Sequence, residues 1–254
     1  MFGQLKKINS QVKTLSSVVE GSEAFAIKKL YENSSSDILY IASDGNTMEQ
    51  IASVLRYILP DVNILTFPAW DTVPYDRISP NVNIVAERVN VLAYLAHNPT
   101  DKKNRIVLTS IGSAIQKLPP KKVFLNSVKH IKVGGELSFT NFLHYASVNG
   151  YTRVEQVMEP GEYAVRGDII DIFPVGTDNP LRIDLFGDEV EKIRTFDVLT
   201  QRTTGEKDYY TFQAAGEVVL DENTVKNFRS NYRESFGVAT KNDEIYEAIS
   251  NSKK

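Results

Sequence analysis

The chain has 254 residues, the length of one or two domains, and its 42% hydrophobic and 24% charged residues are ordinary for a globular protein. Its 29 basic and 32 acidic side chains leave a net charge of −3, which argues against general attraction to a phosphate backbone. The absence of cysteine excludes disulfides, thiolate nucleophiles and cysteine-ligated metals.

Membrane and secretion signals are also missing from the sequence. No apolar run approaches the ~20 residues that a membrane span requires. Residues 1–7 lack the apolar core of a signal peptide. The sequence therefore predicts a cytoplasmic location and no contact with a membrane.

Strands and helices alternate along residues 1–120. Apolar runs typical of buried strands occupy 37–44, 62–67 and 105–110, and apolar residues recur at helical spacing over 47–59 and 83–95. Strands that alternate with helices are typical of βαβ units around a parallel sheet. The sequence thus predicts an α/β domain with a mostly parallel sheet.

The pattern changes after Pro120. Residues 138–148 read as a helix that Asn149-Gly150 terminates, and residues 151–203 are dominated by strand patterns. This second region, 121–204, is predicted to be an α+β unit. The remaining tail, 205–254, contains two short helical patterns.

The first strand–helix turn is where a nucleotide-binding loop would be expected. A phosphate-binding loop requires Gly-x-x-x-x-Gly-Lys-[Ser/Thr], but in the nearest stretch, 21–28, Ala26 replaces the second glycine and Ile27 replaces the lysine. Glu20 and Glu23 add negative charge where phosphate would bind. The stretch reads as an ordinary helix start, so we expect no catalytic residues, no cofactor and no metal in this chain.

Acidic residues gather around one dipeptide, Gly187-Asp188. The group comprises Asp184, Asp188, Glu189 and Glu191. Paired carboxylates can perform acid–base chemistry, but they need a cleft and separated pKa values. Because Gly-Asp suits a two-residue hairpin turn, we interpret the group as a solvated turn.

The strand before that turn, 181–186, has an unusual polar face. Alternation places Leu181, Ile183 and Leu185 on one side, and Arg182, Asp184 and Phe186 on the other. If the aliphatic side is the core, Phe186 is exposed next to an arginine. The returning strand matches only if a β-bulge lies near Lys192. Exposed aromatic and arginine side chains anchor protein interfaces, although single exposed apolar residues are common.

Trp70 offers a second aromatic candidate, together with Tyr75. Aromatic side chains between prolines can stack on nucleic-acid bases. The alternative is that they pack a strand-to-loop crossover against the core. No basic residue occurs in the segment before Arg77, so packing is favoured.

Several long segments resemble one protein family. They are 67–76 (Phe-Pro-Ala-Trp-Asp-Thr-Val-Pro-Tyr-Asp) followed by Ser79-Pro80, 154–168 (Val-Glu-Gln-Val-Met-Glu-Pro-Gly-Glu-Tyr-Ala-Val-Arg-Gly-Asp), 171–174 (Asp-Ile-Phe-Pro), and 196–198 with 200–203 (Phe-Asp-Val, Thr-Gln-Arg-Thr). In order and content they resemble the N-terminal, UvrB-like module of the bacterial transcription-repair coupling factors, the Mfd family.

The resemblance implies a domain plan that agrees with the segmentation above. It implies a degenerate helicase-like (P-loop NTPase-like) α/β domain at 1–120, an inserted α+β UvrA-binding domain at 121–204, and the truncated start of a returning segment at 205–254. UvrB itself keeps a working phosphate loop and a DNA-clamping hairpin. This chain has neither motif, which favours the coupling factors over UvrB.

The resemblance also implies a function for the exposed strand face. The family's inserted domain binds UvrA, and its UvrA-binding residues correspond here to Arg166, Arg182 and Phe186. The implied role is a non-catalytic module that recruits UvrA to stalled transcription complexes. The family's ATP-dependent translocase activity and its contacts with RNA polymerase and DNA belong to domains absent here. The alternative is a UvrB-like nucleotide- or DNA-binding repair domain.

Overall fold

The computed structural model of the protein describes residues 19, 21–73, 79–97, 105–238 and 243–251. The first part of the chain contains α1 (Glu23–Glu32), β1 (Ile38–Ala42), α2 (Gly45–Ile58), β2 (Ile64–Phe67), α3 (Val82–His97), β3 (Ile106–Ser110) and α4 (Ile111–Ala114). Within the described ranges, no helix is long and apolar enough to cross a membrane.

Strands β1, β3 and β2 form a parallel sheet in that order. Helix α2 begins at its N-cap Asp44, whose side chain accepts a hydrogen bond from the Thr47 N–H at 2.8 Å. Its apolar stripe is buried against the sheet, with Leu55 and Leu108 fully inaccessible to solvent. The predicted α/β class is confirmed here, whereas the helicase-like character stays a prediction because many α/β folds share three parallel strands.

The second part of the chain is built around a larger sheet. It contains α5 (Lys121–Leu125), β4 (Lys129–Lys132), α6 (Phe139–Val148), β5 (Thr152–Arg153), β6 (Glu162–Arg166), β7 (Ile169–Ile172), β8 (Leu181–Phe186), β9 (Glu189–Phe196), β10 (Thr203–Lys207) and β11 (Tyr209–Phe212). The sheet order is β10-β9-β8-β7-β6-β5, and β11 pairs separately with β4.

One face of the six-stranded sheet carries the core of this part. Phe142 and Ala146 of α6 pack there with Ile170, Ile183 and other aliphatic residues of the central strands. Helix α6 ends as predicted, with Asn149 as its C-cap and Gly150 at φ +97°. The predicted α+β character of this region is therefore visible in its helix and strands.

Two short helices lie between β3 and β4 along the chain. The helical piece after β3 is only the four residues of α4. The next helix, α5, begins after Pro120, which has the extended conformation suited to a helix N-cap. Strand β10 continues past residue 204 and pairs with β9, and β11 lies wholly after residue 204 and pairs with β4. The domain boundaries remain predictions.

Trp70 is half-buried and packs against the buried Arg88, as favoured above. The centroid of its ring lies 4.4 Å from the guanidinium carbon of the buried Arg88. The same carbon lies 4.2 Å from the centroid of the Phe67 ring, so both aromatic rings pack against this cation. Tyr75 lies outside the described residues. The tail forms α7 (Glu222–Phe236) and α8 (Glu244–Ser250), which pack together through Phe228, Tyr232 and Tyr246.

Candidate protein-binding surface

The β8–β9 hairpin is held firmly at its tip. Gly187 opens the two-residue turn with φ +61°, a conformation that favours glycine at this position. The Asp188 carbonyl oxygen accepts a hydrogen bond from the Leu137 N–H at 2.6 Å, and the Val190 N–H donates to Gly135 at 2.9 Å. Phe186, the last residue before the turn, therefore stands on an anchored hairpin.

A β-bulge sets which residues of β9 face the core. Leu185 pairs with Val190 and Asp184 pairs with Lys192, so Glu191 is the additional residue. This confirms the bulge predicted near Lys192. Because of it, both Val190 and Ile193 are buried on the core side.

The two faces of β8 differ as alternation predicts. Leu181, Ile183 and Leu185 are buried, whereas Phe186 is 80% exposed. The other face of the six-stranded sheet, which carries Arg182, Asp184 and Phe186, is called the outer face below. The predicted exposure of Phe186 is confirmed, and its role in binding remains a prediction.

Arg182 already has a partner within the protein. Its Nε and Nη2 donate to the two carboxylate oxygens of Asp171 at 2.7 and 2.8 Å, in the forked geometry that guanidinium groups favour. The guanidinium carbon lies 4.7 Å from the Phe196 ring centroid. These hydrogen bonds raise the pKa of Arg182. The side chain is only 17% exposed and Asp171 only 2%.

Asp184 corrects the interpretation of the acidic cluster. Its carboxylate pairs with Arg194 at 2.6 Å and its side chain is 13% exposed, so it is not part of a solvated turn. The reason is that β8 places it on the outer face in the middle of the sheet, next to β9. Asp188, Glu189 and Glu191 are exposed, as predicted.

Arg166 lies on the same face at the end of β6. Its register partner is Ile169, which in turn pairs with Asp184, and register partners on adjacent strands share a face. Its Nη2 donates to the Glu155 carbonyl oxygen at 3.1 Å. From strand spacing, Arg166 is about 10 Å from β8, and Arg182 and Phe186 are about 13 Å apart along it. The structure therefore brings the three predicted residues onto one surface.

Gln201 and Asp171 are the residues that sequence reasoning did not assign to this surface. Gln201 has φ +58°, and its Nε2 donates to the Val198 carbonyl oxygen at 2.7 Å. Its own carbonyl and amide oxygens lie 3.4 and 3.5 Å from Arg182 Nη1 and Nη2. Both residues occur in segments that carry the family resemblance, and this resemblance is the sequence signal that points to them.

The loop that carries Gln201 is closed by local hydrogen bonds. The backbone N–H and the hydroxyl of Thr200 both donate to Asp197 Oδ1 at 2.8 Å. These bonds, the backbone one foremost, lower the pKa of Asp197. Leu199 at the tip of the loop is 78% exposed.

The stretch 21–28, which lacks the phosphate-binding motif, contains the start of helix α1. Ser22 occupies the N-cap position of α1 and its hydroxyl donates to the Val19 carbonyl oxygen. Glu23 begins the first turn, and Glu20 lies outside the described residues. Across the described part of the chain, no cluster of three or more His, Asp or Glu side chains is arranged to hold a metal ion.

Comparison with known proteins identifies this region. The family called UvrB interaction domain matches residues 130–217, which include the six-stranded sheet and the outer face. The transcription-repair-coupling factor of Haemophilus influenzae is 36% identical over 239 residues, 94% of this chain and 20% of that protein. The chain is a relative of the transcription-repair-coupling factors.

Other transcription-repair-coupling factors show a similar degree of identity. The transcription-repair-coupling factor of Rickettsia bellii is 34% identical over 91% of this chain and 20% of its own length, and that of Escherichia coli K12 is 30% identical over 89% and 19%. The chain thus spans about a fifth of the length of the curated relatives it matches. The names of these relatives connect the family with transcription and DNA repair.

Proposed function

We propose that this chain is a non-catalytic docking module that binds UvrA through the outer face and so recruits it to stalled transcription complexes. In this proposal, Arg166, Arg182 and Phe186 are the partner-binding residues. Translocation on DNA and contacts with RNA polymerase are assigned to parts of the longer relatives that this chain does not include.

The observation that carries the proposal is the exposure of Phe186 on the same face of the sheet as Arg166 and Arg182. A phenylalanine that is 80% exposed on a hairpin with an anchored backbone offers a partner apolar area without the ordering of a flexible loop. Interface hot spots combine aromatic and arginine side chains that become desolvated together. Both chemistries are present on the outer face.

The charges on the outer face weigh against nucleic acid as the partner. Arg182 is paired with Asp171 and Arg194 with Asp184, so two of its cations are already neutralised. DNA binding depends on unneutralised Lys and Arg that displace counterions from phosphates. A surface on which two arginines are already paired within the protein suits a protein partner better.

Titration of purified UvrA with the chain in a calorimeter tests the proposal directly. We expect a saturable complex that needs neither nucleotide nor DNA. Two parallel titrations, with a fluorescent ATP analogue and with duplex DNA at two salt concentrations, test the alternative of a UvrB-like nucleotide- or DNA-binding domain. Binding to either of these without binding to UvrA would favour that alternative.

A further inference from the structure

We infer that Asp171 is a positioning residue for partner binding, which holds the Arg182 guanidinium in the orientation that meets UvrA. The inference rests on the proposed function. Asp171 is almost wholly buried and lies on β7, whereas Arg182 lies on β8.

The geometry shows how completely Asp171 engages the arginine. Asp171 on β7 is the register partner of Arg182 on β8, and each carboxylate oxygen receives one N–H, at 2.7 and 2.8 Å. Phe196 packs against the guanidinium at 4.7 Å. The Arg182 side chain is thereby held by Asp171 and Phe196, and it has little rotamer entropy left to lose when a partner binds.

The position of Asp171 is a costly one for a carboxylate. Its side chain is 2% exposed, close to an apolar group on the outer face formed by Val157, Ala164, Phe173 and Phe196. Buried ion pairs are often no more stabilising than apolar residues of similar volume. Stability therefore does not explain why an ion pair occupies this position. The need to fix the orientation of Arg182 at a binding surface does explain it.

The arrangement also defines the chemistry that Arg182 offers. Nε and one Nη2 N–H form one of the two forks of the guanidinium, and Asp171 already occupies it. The contacts to Gln201, at 3.4 and 3.5 Å, are long and are the ones that a partner oxygen can replace. The Nη1/Nη2 edge is therefore the part of Arg182 that is offered to an oxygen of the partner.

The first test is Asp171→Asn, measured by titration with UvrA. We expect affinity to fall by about tenfold or more, because the arginine loses its fixed orientation. The change makes the outer face more positive, so attraction of a generally acidic partner would leave binding equal or tighter, and that result overturns the inference. Glu234→Gln is the matched control, since it makes the same charge change at an exposed carboxylate on α7, outside the sheet, and is expected to leave affinity unchanged.

A double-mutant cycle separates positioning from general structural support. If Asp171 acts through Arg182, adding Asp171→Asn to Arg182→Gln weakens binding no further than Arg182→Gln alone. Additive losses overturn the inference. Melting temperature and near-ultraviolet circular dichroism establish that each variant is folded.

Asp171→Glu serves if the asparagine variant does not fold. It keeps the buried charge but displaces it by one methylene, so affinity is expected to fall while the fold is retained; unchanged affinity overturns the inference. Failure of the wild-type chain to bind UvrA would instead remove the proposed function, and this inference with it. Wild-type binding that Asp171 variants do not alter removes the inference alone.

Discussion

Arg88 of α3 and Glu217, 129 residues further along the chain, form an ion pair in the protein interior. Arg88 is fully buried, and its Nη1 also donates to the Pro68 carbonyl oxygen at 2.6 Å and to Ser113 Oγ at 3.0 Å. The pair therefore connects the segment after β11 to the part of the chain that contains the parallel sheet.

Glu217→Gln is expected to lower the free energy of unfolding by about 3–5 kcal/mol, because it leaves a buried guanidinium without its counter-charge. Urea denaturation followed by circular dichroism measures the change. Glu234→Gln on the exposed side of α7 is the control and should change stability by no more than about 0.5 kcal/mol. Equal effects of the two substitutions would contradict a buried pair.

Phe186→Ala is expected to weaken UvrA binding by about 2–4 kcal/mol, as truncation of an aromatic hot spot does. Stability should hardly change, since the side chain is 80% exposed in the free protein. Calorimetric titration gives the affinity and a melting curve gives the stability. Phe236→Ala is the matched control, because that phenylalanine is 75% exposed on α7, outside the β8–β9 hairpin. Similar affinities for the two variants would remove Phe186 from the site.

Arg182 and Arg166 are expected to differ in what they contribute to folding. Arg182→Ala should lower the unfolding free energy by about 1–3 kcal/mol, because Asp171 is left buried without a donor. Arg166→Ala should change it by no more than about 0.5 kcal/mol, because that side chain is exposed. Chemical denaturation of both variants checks this, and equal stabilities would contradict the structural role of Arg182.

The ion pair between Arg182 and Asp171 affects the choice of variants for binding experiments. Arg182→Glu would set a second carboxylate against the buried Asp171, so a loss of binding would report partly on unfolding. Arg166→Ala is the cleaner probe of the surface.

Acid is expected to loosen the loop that carries Gln201. Hydrogen bonds from Thr200 lower the pKa of Asp197 from its ordinary value of 3.8, so the carboxylate stabilises the fold above that value and loses this effect as the pH falls through the lowered one. The difference in unfolding free energy between wild type and Asp197→Asn should be constant above about pH 5 and shrink below about pH 4. Denaturation curves across this range measure it, and a difference that grows on acidification would contradict the assignment.

Local patterns were sufficient for much of the fold. The three strands of the parallel sheet, helices α2, α3 and α6, the Gly187 turn and the bulge in β9 all follow from periodicity and turn chemistry. Those signals act over a few residues and are therefore visible in the sequence. The five residues of α5 carry too little periodicity to predict a helix.

The sequence by itself determined that Phe186 is exposed and shares a face with Arg182, because side chains alternate along any strand whose other face is buried. Only the tertiary structure decided that Arg182 is bound by Asp171, that Asp184 is bound by Arg194, and that Arg88 meets Glu217. Such pairs depend on which strands become neighbours and in what register, and these follow from packing of the whole chain. A charge that appears free in the sequence can therefore be fully engaged in the folded protein.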